Sequence, residues 1–150
     1  MIRKAKITDI KFIHQLLKEY GDIGLLLPRP ISKLYDHVRD FSVFVDKSDR
    51  VIGCCALQFC WEDLAEIRSL AVLSEYTRKN IGTLLVKEAL NEAKSFSIKR
   101  IFTLTYKPDF FKKFGFNQID RSELPLKIWT DCIMCVKFPD CDETAMMKKL

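Results

Sequence analysis

Apolar and polar positions follow one another in blocks along the chain, and these blocks predict short helices and strands. Apolar residues at helical spacing follow Thr8, which we expect to cap a helix over residues 8–20. Further helices are predicted over residues 31–39, 81–94 and 109–114. In the helix over residues 81–94, the side expected to be apolar consists of Leu84, Leu85, Ala89, Leu90 and Ala93.

Strand patterns fill most of the remaining chain. They cover residues 2–7, 41–45, 51–61, 64–73, 100–105, 116–119 and 128–138. The residues after 138 favour a helix. A run of antiparallel strands, followed by strand, loop, helix and strand, predicts an α+β domain whose sheet contains one parallel step.

The composition is typical of one globular domain over residues 1–150. With 48% hydrophobic and 30% charged residues, five Gly and five Pro, the chain is neither a disordered protein nor a disulfide-stapled miniprotein. No apolar run approaches the ~18 residues of a membrane span, and the first residues do not resemble a signal peptide. We therefore interpret the six cysteines as reduced thiols and expect a cytoplasmic protein.

The net charge of +5 favours anionic partners. Because the basic residues form scattered doublets rather than one long block, we expect neither nucleic acid nor a membrane as a partner. One doublet, Arg78 and Lys79, lies before the 81–94 helix, whose first-turn amides and dipole favour an anion. Gly82 allows close approach to a ligand, and Asn80 tolerates a positive φ. The same residues also fit an ordinary strand-to-helix turn.

The stretch from Ala65 to Thr83 resembles the acetyl-CoA-binding motif of GNAT-fold N-acetyltransferases. Leu-Ala-Val at 70–72, Tyr76 and Gly82 match that motif, whereas Thr77 replaces its Arg or Gln and Asn80 replaces its first Gly. The resemblance implies the GNAT fold, a mostly antiparallel sheet with flanking helices, and acetyl-CoA as cosubstrate. It places the cofactor at Leu70, Ala71, Val72, Thr77, Arg78, Lys79, Asn80, Ile81, Gly82 and Thr83.

Residues 110–116 are similar to the family's later helix and its terminal Gly-Phe. Phe111 stands where many members carry a Tyr that protonates the CoA thiolate. Shorter blocks at 25–30, 65–72, 104–105, 124–129 and 131–143 resemble amino-acid N-acetyltransferases of the N-acetylglutamate synthase type. That resemblance implies acetyl transfer to the α-amine of glutamate, the first step of arginine biosynthesis.

The attacking amine must lose a proton, and Glu66, which matches the family's usual position, is expected to be the general base. The alternative is a solvent-facing strand Glu. The resemblance assigns the oxyanion to backbone amides near Leu70, and pairs Ala71 and Val72 with the pantetheine arm like an added strand. A dicarboxylate acceptor also needs cations. Arg29, Arg68 and Lys127 are the candidates, with Arg29 and Lys127 as the expected clamp.

Two other interpretations stay open. The enzyme could acetylate another small amine or a protein N-terminus, although Arg29 and Lys127 disfavour a polyamine. A non-catalytic module that binds acetyl-CoA or zinc would explain Thr77, Asn80 and Phe111, but not Glu66. The cysteines at 132, 135 and 141 begin with zinc-like spacing but fall short of a paired ligand set, so we expect no metal. The oligomeric state is left open, a homodimer being one option.

Overall fold

A seven-stranded sheet organises the chain. The computed structural model describes residues 1–24, 29–125 and 143–150. Its strands lie in the order β1-β2-β3-β4-β5-β7-β6. In chain order the helices and strands of these residues are β1 (Ile2–Lys4), α1 (Ile10–Asp22), α2 (Ile31–Asp36), β2 (Phe41–Val45), β3 (Val51–Trp61), β4 (Leu64–Val72), α3 (Ile81–Ser95), β5 (Arg100–Thr105), α4 (Pro108–Lys112), β6 (Asn117–Gln118) and β7 (Thr144–Lys149).

Neighbouring strands are antiparallel except for β4 and β5. Two parallel strands need a crossover connection, and α3 supplies it. This sheet, with its helices, confirms the predicted α+β class and the single parallel step.

Helices cover both faces of the sheet. The buried side of α3 packs on one face against Ile52, Leu57 and Ile67. On the other face, α1 packs against a cluster that includes Val43 and Ala56. The prediction that Leu84 belongs to the buried side of α3 is wrong, because Leu84 is 43% exposed. The residues of α3 that are buried are Ile81, Leu85, Val86, Ala89, Leu90 and Ala93.

Several predicted boundaries are wrong by a few residues. Strand β1 ends at Lys4, and a 3-10 turn leads into α1. Asp9 rather than Thr8 precedes α1 and makes no side-chain capping bond to it. Its carboxylate accepts hydrogen bonds from the Lys6 amide, at the start of the 3-10 turn, and from Arg3, both at 2.7 Å. Burial alone would raise the pKa of Asp9, but these bonds outweigh it and lower the pKa. Helices α2 and α4 and strand β6 are also shorter than predicted.

The C-terminal prediction needs a larger correction. The described residues at this end form a strand, β7, rather than a helix. It pairs along its whole length with β5, from Thr144 opposite Thr105 to Lys149 opposite Arg100, and also with β6. Pairing with distant strands overrides the local helical preference. The strand predicted over residues 128–138 lies outside the described residues.

Candidate active site

A cleft opens where β4 and β5 diverge. The two strands pair only over their first three positions, from Leu64 opposite Arg100 to Glu66 opposite Phe102. One residue further along β5, the Thr103 hydroxyl donates to the Ile67 carbonyl of β4 at 2.8 Å. Beyond this bond the two strands separate. The space between them has a volume of about 490 Å³, which includes open solvent at its mouth. The cleft is lined by the second half of β4, the end of β5, residues of α4 and Tyr20 of α1.

A β-bulge shapes the β4 wall of the cleft. Cys54 lies opposite Ala71 and Ala56 opposite Arg68, so two residues of β4, Ser69 and Leu70, face one residue of β3. Ser69 has a φ of 57°, in the left-handed region. After the bulge, the Leu73 amide donates to the Ile52 carbonyl on β3. Because strand peptide groups alternate in direction, the N–H and C=O of Val72 point away from β3, to the cleft side.

The hydroxyl of Tyr20 meets the peptide groups of Val72 at the cleft edge. It accepts from the Val72 amide at 3.1 Å and donates to the Val72 carbonyl at 2.5 Å. Burial raises the pKa of Tyr20, which keeps the hydroxyl protonated.

The start of α3 has the form of an anion site. Asn80, at the N-cap position, has a φ of 61° and makes no side-chain capping bond. It therefore adopts the left-handed conformation that asparagine tolerates. Arg78 and Lys79 precede it and are exposed. Thr77 donates its hydroxyl to the Ser74 carbonyl at 3.0 Å and so serves the turn itself.

Glu66 lies on the sheet face that α1 covers. It is 8% exposed, so it is not a solvent-facing strand Glu. On the same face, Arg68 lies with its Nη1 3.9 Å from Glu66 Oε1 and donates to Gln58 Oε1 at 2.8 Å. Arg68 lines the cleft, whereas Glu66 is next to the lining. The structure therefore brings Glu66 and Arg68 together beside the cleft.

Arg29 reaches the same part of β4 from the segment before α2. Its Nη1 donates to Ser69 Oγ at 3.0 Å, and its guanidinium carbon lies 5.7 Å from the centre of the Phe41 ring. A loop cation is thus held beside the bulge. Lys127, the other half of the expected clamp, lies outside the described residues.

Three of the six cysteines lie within the described residues and three lie outside them. Cys54, Cys55 and Cys60 are buried, and burial raises the pKa of Cys54 to about 12, so that thiol stays protonated. The cysteines at 132, 135 and 141 lie outside the described residues, and the described part of the chain contains no group of three metal-ligating side chains.

Sequence reasoning missed part of the cleft wall. Tyr20, Thr103 and Lys107 line it, and none carried a motif. Tyr20 is near the end of an amphipathic helix, where an aromatic residue is typical of ordinary packing. Phe111 is buried in the cleft wall and packs edge-to-face against Phe110 with ring centres 5.2 Å apart. Being a phenylalanine, it supplies no hydroxyl at this position.

Comparisons with known proteins agree with this geometry. The acetyltransferase (GNAT) family model matches residues 10–116. The chain is 42% identical over 149 residues to an uncharacterized N-acetyltransferase of Chlorobaculum tepidum, covering 99% of this chain and 96% of that protein. It is 33% identical over 137 residues to an amino-acid acetyltransferase of Mycobacterium tuberculosis, covering 90% and 77% respectively.

Among solved structures, N-acetylglutamate synthase from Neisseria gonorrhoeae, complexed with coenzyme A and N-acetyl-glutamate, superposes with a TM-score of 0.90 at 27% identity. The match covers 100% of this chain and only 35% of that enzyme, which is therefore much longer.

The geometry and the family match agree. The sheet splits between β4 and β5 beside the start of α3, and the family model matches most of the chain. The chain belongs to the GNAT acetyltransferase family and has the GNAT fold. It is an N-acetyltransferase whose cosubstrate is acetyl-CoA, which confirms the resemblance noted in the sequence. In the described residues, no helix is both long enough and apolar enough to cross a membrane.

Proposed function

We propose that this domain, residues 1–150, transfers acetyl from acetyl-CoA to the α-amine of an amino acid, with L-glutamate as the acceptor. The observation that carries the proposal is that Arg29 bonds Ser69 in the bulge of β4, while the neighbouring residue Arg68 lines the cleft. Guanidinium groups bind carboxylates with two parallel hydrogen bonds, and glutamate offers two carboxylates. Lys127 is the third proposed acceptor cation. The product, N-acetylglutamate, would enter arginine biosynthesis.

The names of similar proteins support an amino-acid acceptor. The Mycobacterium relative is called an amino-acid acetyltransferase, and the Neisseria neighbour is a synthase of N-acetylglutamate. The first name agrees with a small amino acid as acceptor, and the second with an anionic one.

We assign the two ends of acetyl-CoA to main-chain groups. Its phosphates would bind the first-turn amides of α3, in the segment from Thr77 to Thr83, where Arg78 and Lys79 add positive charge. Its pantetheine arm would pair with Ala71 and Val72 as an added strand. The thioester oxygen would then lie at the Leu70 amide, which stabilises the oxyanion formed during attack.

We assign to Glu66 the removal of a proton from the acceptor amine. An α-amine with a pKa of about 8 or above is mostly protonated at neutral pH, so a carboxylate that removes the proton through a water molecule accelerates attack. The tetrahedral intermediate then expels the CoA thiolate. Because a thiol has a pKa of about 8.5, this leaving group departs without a proton donor at Phe111.

The experiment is to measure thiol release from acetyl-CoA with each of the twenty amino acids as acceptor, with mass detection of the product. We expect turnover with glutamate and little with glutamine, which matches it in shape but lacks the side-chain charge. Equal turnover with glutamine or with a polyamine would contradict the acceptor assignment. Binding of acetyl-CoA without turnover of any acceptor would favour a non-catalytic module.

A further inference from the structure

The cleft edge of β4 is already paired at Val72. Both peptide groups of that residue that face the cleft, its N–H and its C=O, are bonded to the single hydroxyl of Tyr20, at 3.1 Å and 2.5 Å. The opposite edge of β4 at this level is bonded to β3, through the Leu73 amide and the Ile52 carbonyl. Tyr20 therefore supplies the one acceptor and one donor that a neighbouring strand would supply to Val72.

Tyr20 reaches this edge from a different layer of the molecule. It is in the last turns of α1, on the sheet face opposite α3, and packs against the α1 cluster. Its side chain also lines the cleft. Burial keeps the hydroxyl neutral, and a neutral hydroxyl can accept one hydrogen bond while it donates another.

A pantetheine arm carries secondary amides, which offer the same acceptor and donor. The Val72 amide has one hydrogen to donate, and the Tyr20 hydroxyl already accepts it. An arm that pairs with Val72 in the plane of the sheet must therefore take the position of that hydroxyl. The two partners exclude each other.

We propose that Tyr20 occupies the pantetheine pairing position on β4 in the cofactor-free protein and that acetyl-CoA displaces its hydroxyl from Val72. This inference rests on the proposed pairing of the arm with Ala71 and Val72. Tyr20 is then a residue that lowers the affinity for acetyl-CoA and links cofactor binding to the end of α1. The cofactor-free cleft edge has no unpaired peptide group at Val72, whose exposure in a partly dry cleft would be costly.

The test compares CoA binding to the wild-type protein, Tyr20→Phe and a matched control, Tyr35→Phe, by isothermal titration without any amino acid. Tyr35 is an exposed residue of α2. Removing the Tyr20 hydroxyl removes the competitor and leaves Val72 unpaired in the free protein. We expect Tyr20→Phe to bind CoA about 3- to 10-fold more tightly, the range that one modest hydrogen bond provides.

Binding of a second ligand distinguishes an effect at the pantetheine arm from an effect on the rest of CoA. The phosphoadenosine diphosphate half of CoA, without pantetheine, should bind the three proteins equally. Unchanged or weaker CoA binding by Tyr20→Phe would overturn the proposal. Equal tightening for both ligands would also overturn it, since the effect would then not lie at the arm.

Hydrogen exchange in the wild-type protein tests the same point without a substitution. If CoA releases Tyr20, amides near the end of α1, in residues 18–22, should exchange faster when CoA is bound. Slower exchange there would overturn the proposal, as would a failure of the wild-type protein to bind CoA. Because no acceptor is present in these measurements, an error in the glutamate assignment would not affect them.

Discussion

The cofactor region and the acceptor region of the cleft, as we assign them, use different parts of the chain. The proposed cofactor region consists of peptide groups: those of Leu70 and Val72 on β4, and those of the first turn of α3. The proposed acceptor region consists of side chains, namely Glu66, Arg68 and Arg29. The two proposed regions share β4 and meet at the bulge of Ser69 and Leu70.

This difference predicts where the sequence can vary without losing function. Peptide groups are the same for every residue type, so Thr77 and Asn80 can depart from the family motif while the turn keeps its shape. Asn80 shows this directly, because it holds the left-handed conformation in which the motif prefers glycine. An acceptor region built from side chains has no such tolerance. The following four predictions test this contrast, from the largest expected effect to the smallest.

Glu66→Gln should lower turnover about 100- to 10,000-fold, the usual contribution of a general base. The loss should be greatest at low pH and shrink as the pH approaches the pKa of the acceptor amine, because a neutral amine needs no base. The measurement is the pH–rate profile of the variant and of Glu62→Gln, an exposed control in the β3–β4 turn. A profile that keeps the wild-type shape would remove Glu66 from this role.

Arg29→Ala should raise the KM for the acceptor about 10- to 100-fold, since charge-assisted hydrogen bonds to a carboxylate are lost. The KM for acetyl-CoA should change less than about twofold, because main-chain groups hold the cofactor. Arg39→Ala, at an exposed position in the turn before β2, is the control. Equal increases in the two KM values would break the contrast between the regions.

Asn80→Ala should destabilise the protein by about 1 kcal/mol, because alanine adopts the left-handed conformation at that cost. Asn80→Gly should be neutral or slightly stabilising, since glycine adopts it freely. Urea denaturation of both variants gives the comparison. If the two were equally stable, the backbone conformation at position 80 would not limit the start of α3.

Replacing Arg78 and Lys79 together by Ala should raise the KM for acetyl-CoA less than about fivefold, because exposed charges contribute little in water. The effect should fall further as salt is added. Steady-state kinetics at low and high salt measure it. A rise as large as that of Arg29→Ala on the acceptor would mean that side chains dominate the cofactor region as well.

The sequence by itself determined the frame of this protein. Alternating patterns place strands at 41–45, 51–61 and 100–105 as the structure has them, and the strand–loop–helix order requires the parallel step. Asn80 is also predictable, since asparagine tolerates the left-handed conformation that its turn needs. These features depend on nearby residues, so a local pattern is sufficient to reveal them.

Only the tertiary structure decided the rest. β7 forms because β5 and β6 offer edges on both sides, although its own residues favour a helix. The bulge at Ser69 carries no glycine to mark it, and it follows from the register of β3 against β4. Arg29 meets Ser69, and Tyr20 meets Val72, across 40 and 52 positions of the chain. Contacts between residues so far apart depend on how complete layers pack, and no local pattern of apolar and polar residues records that packing.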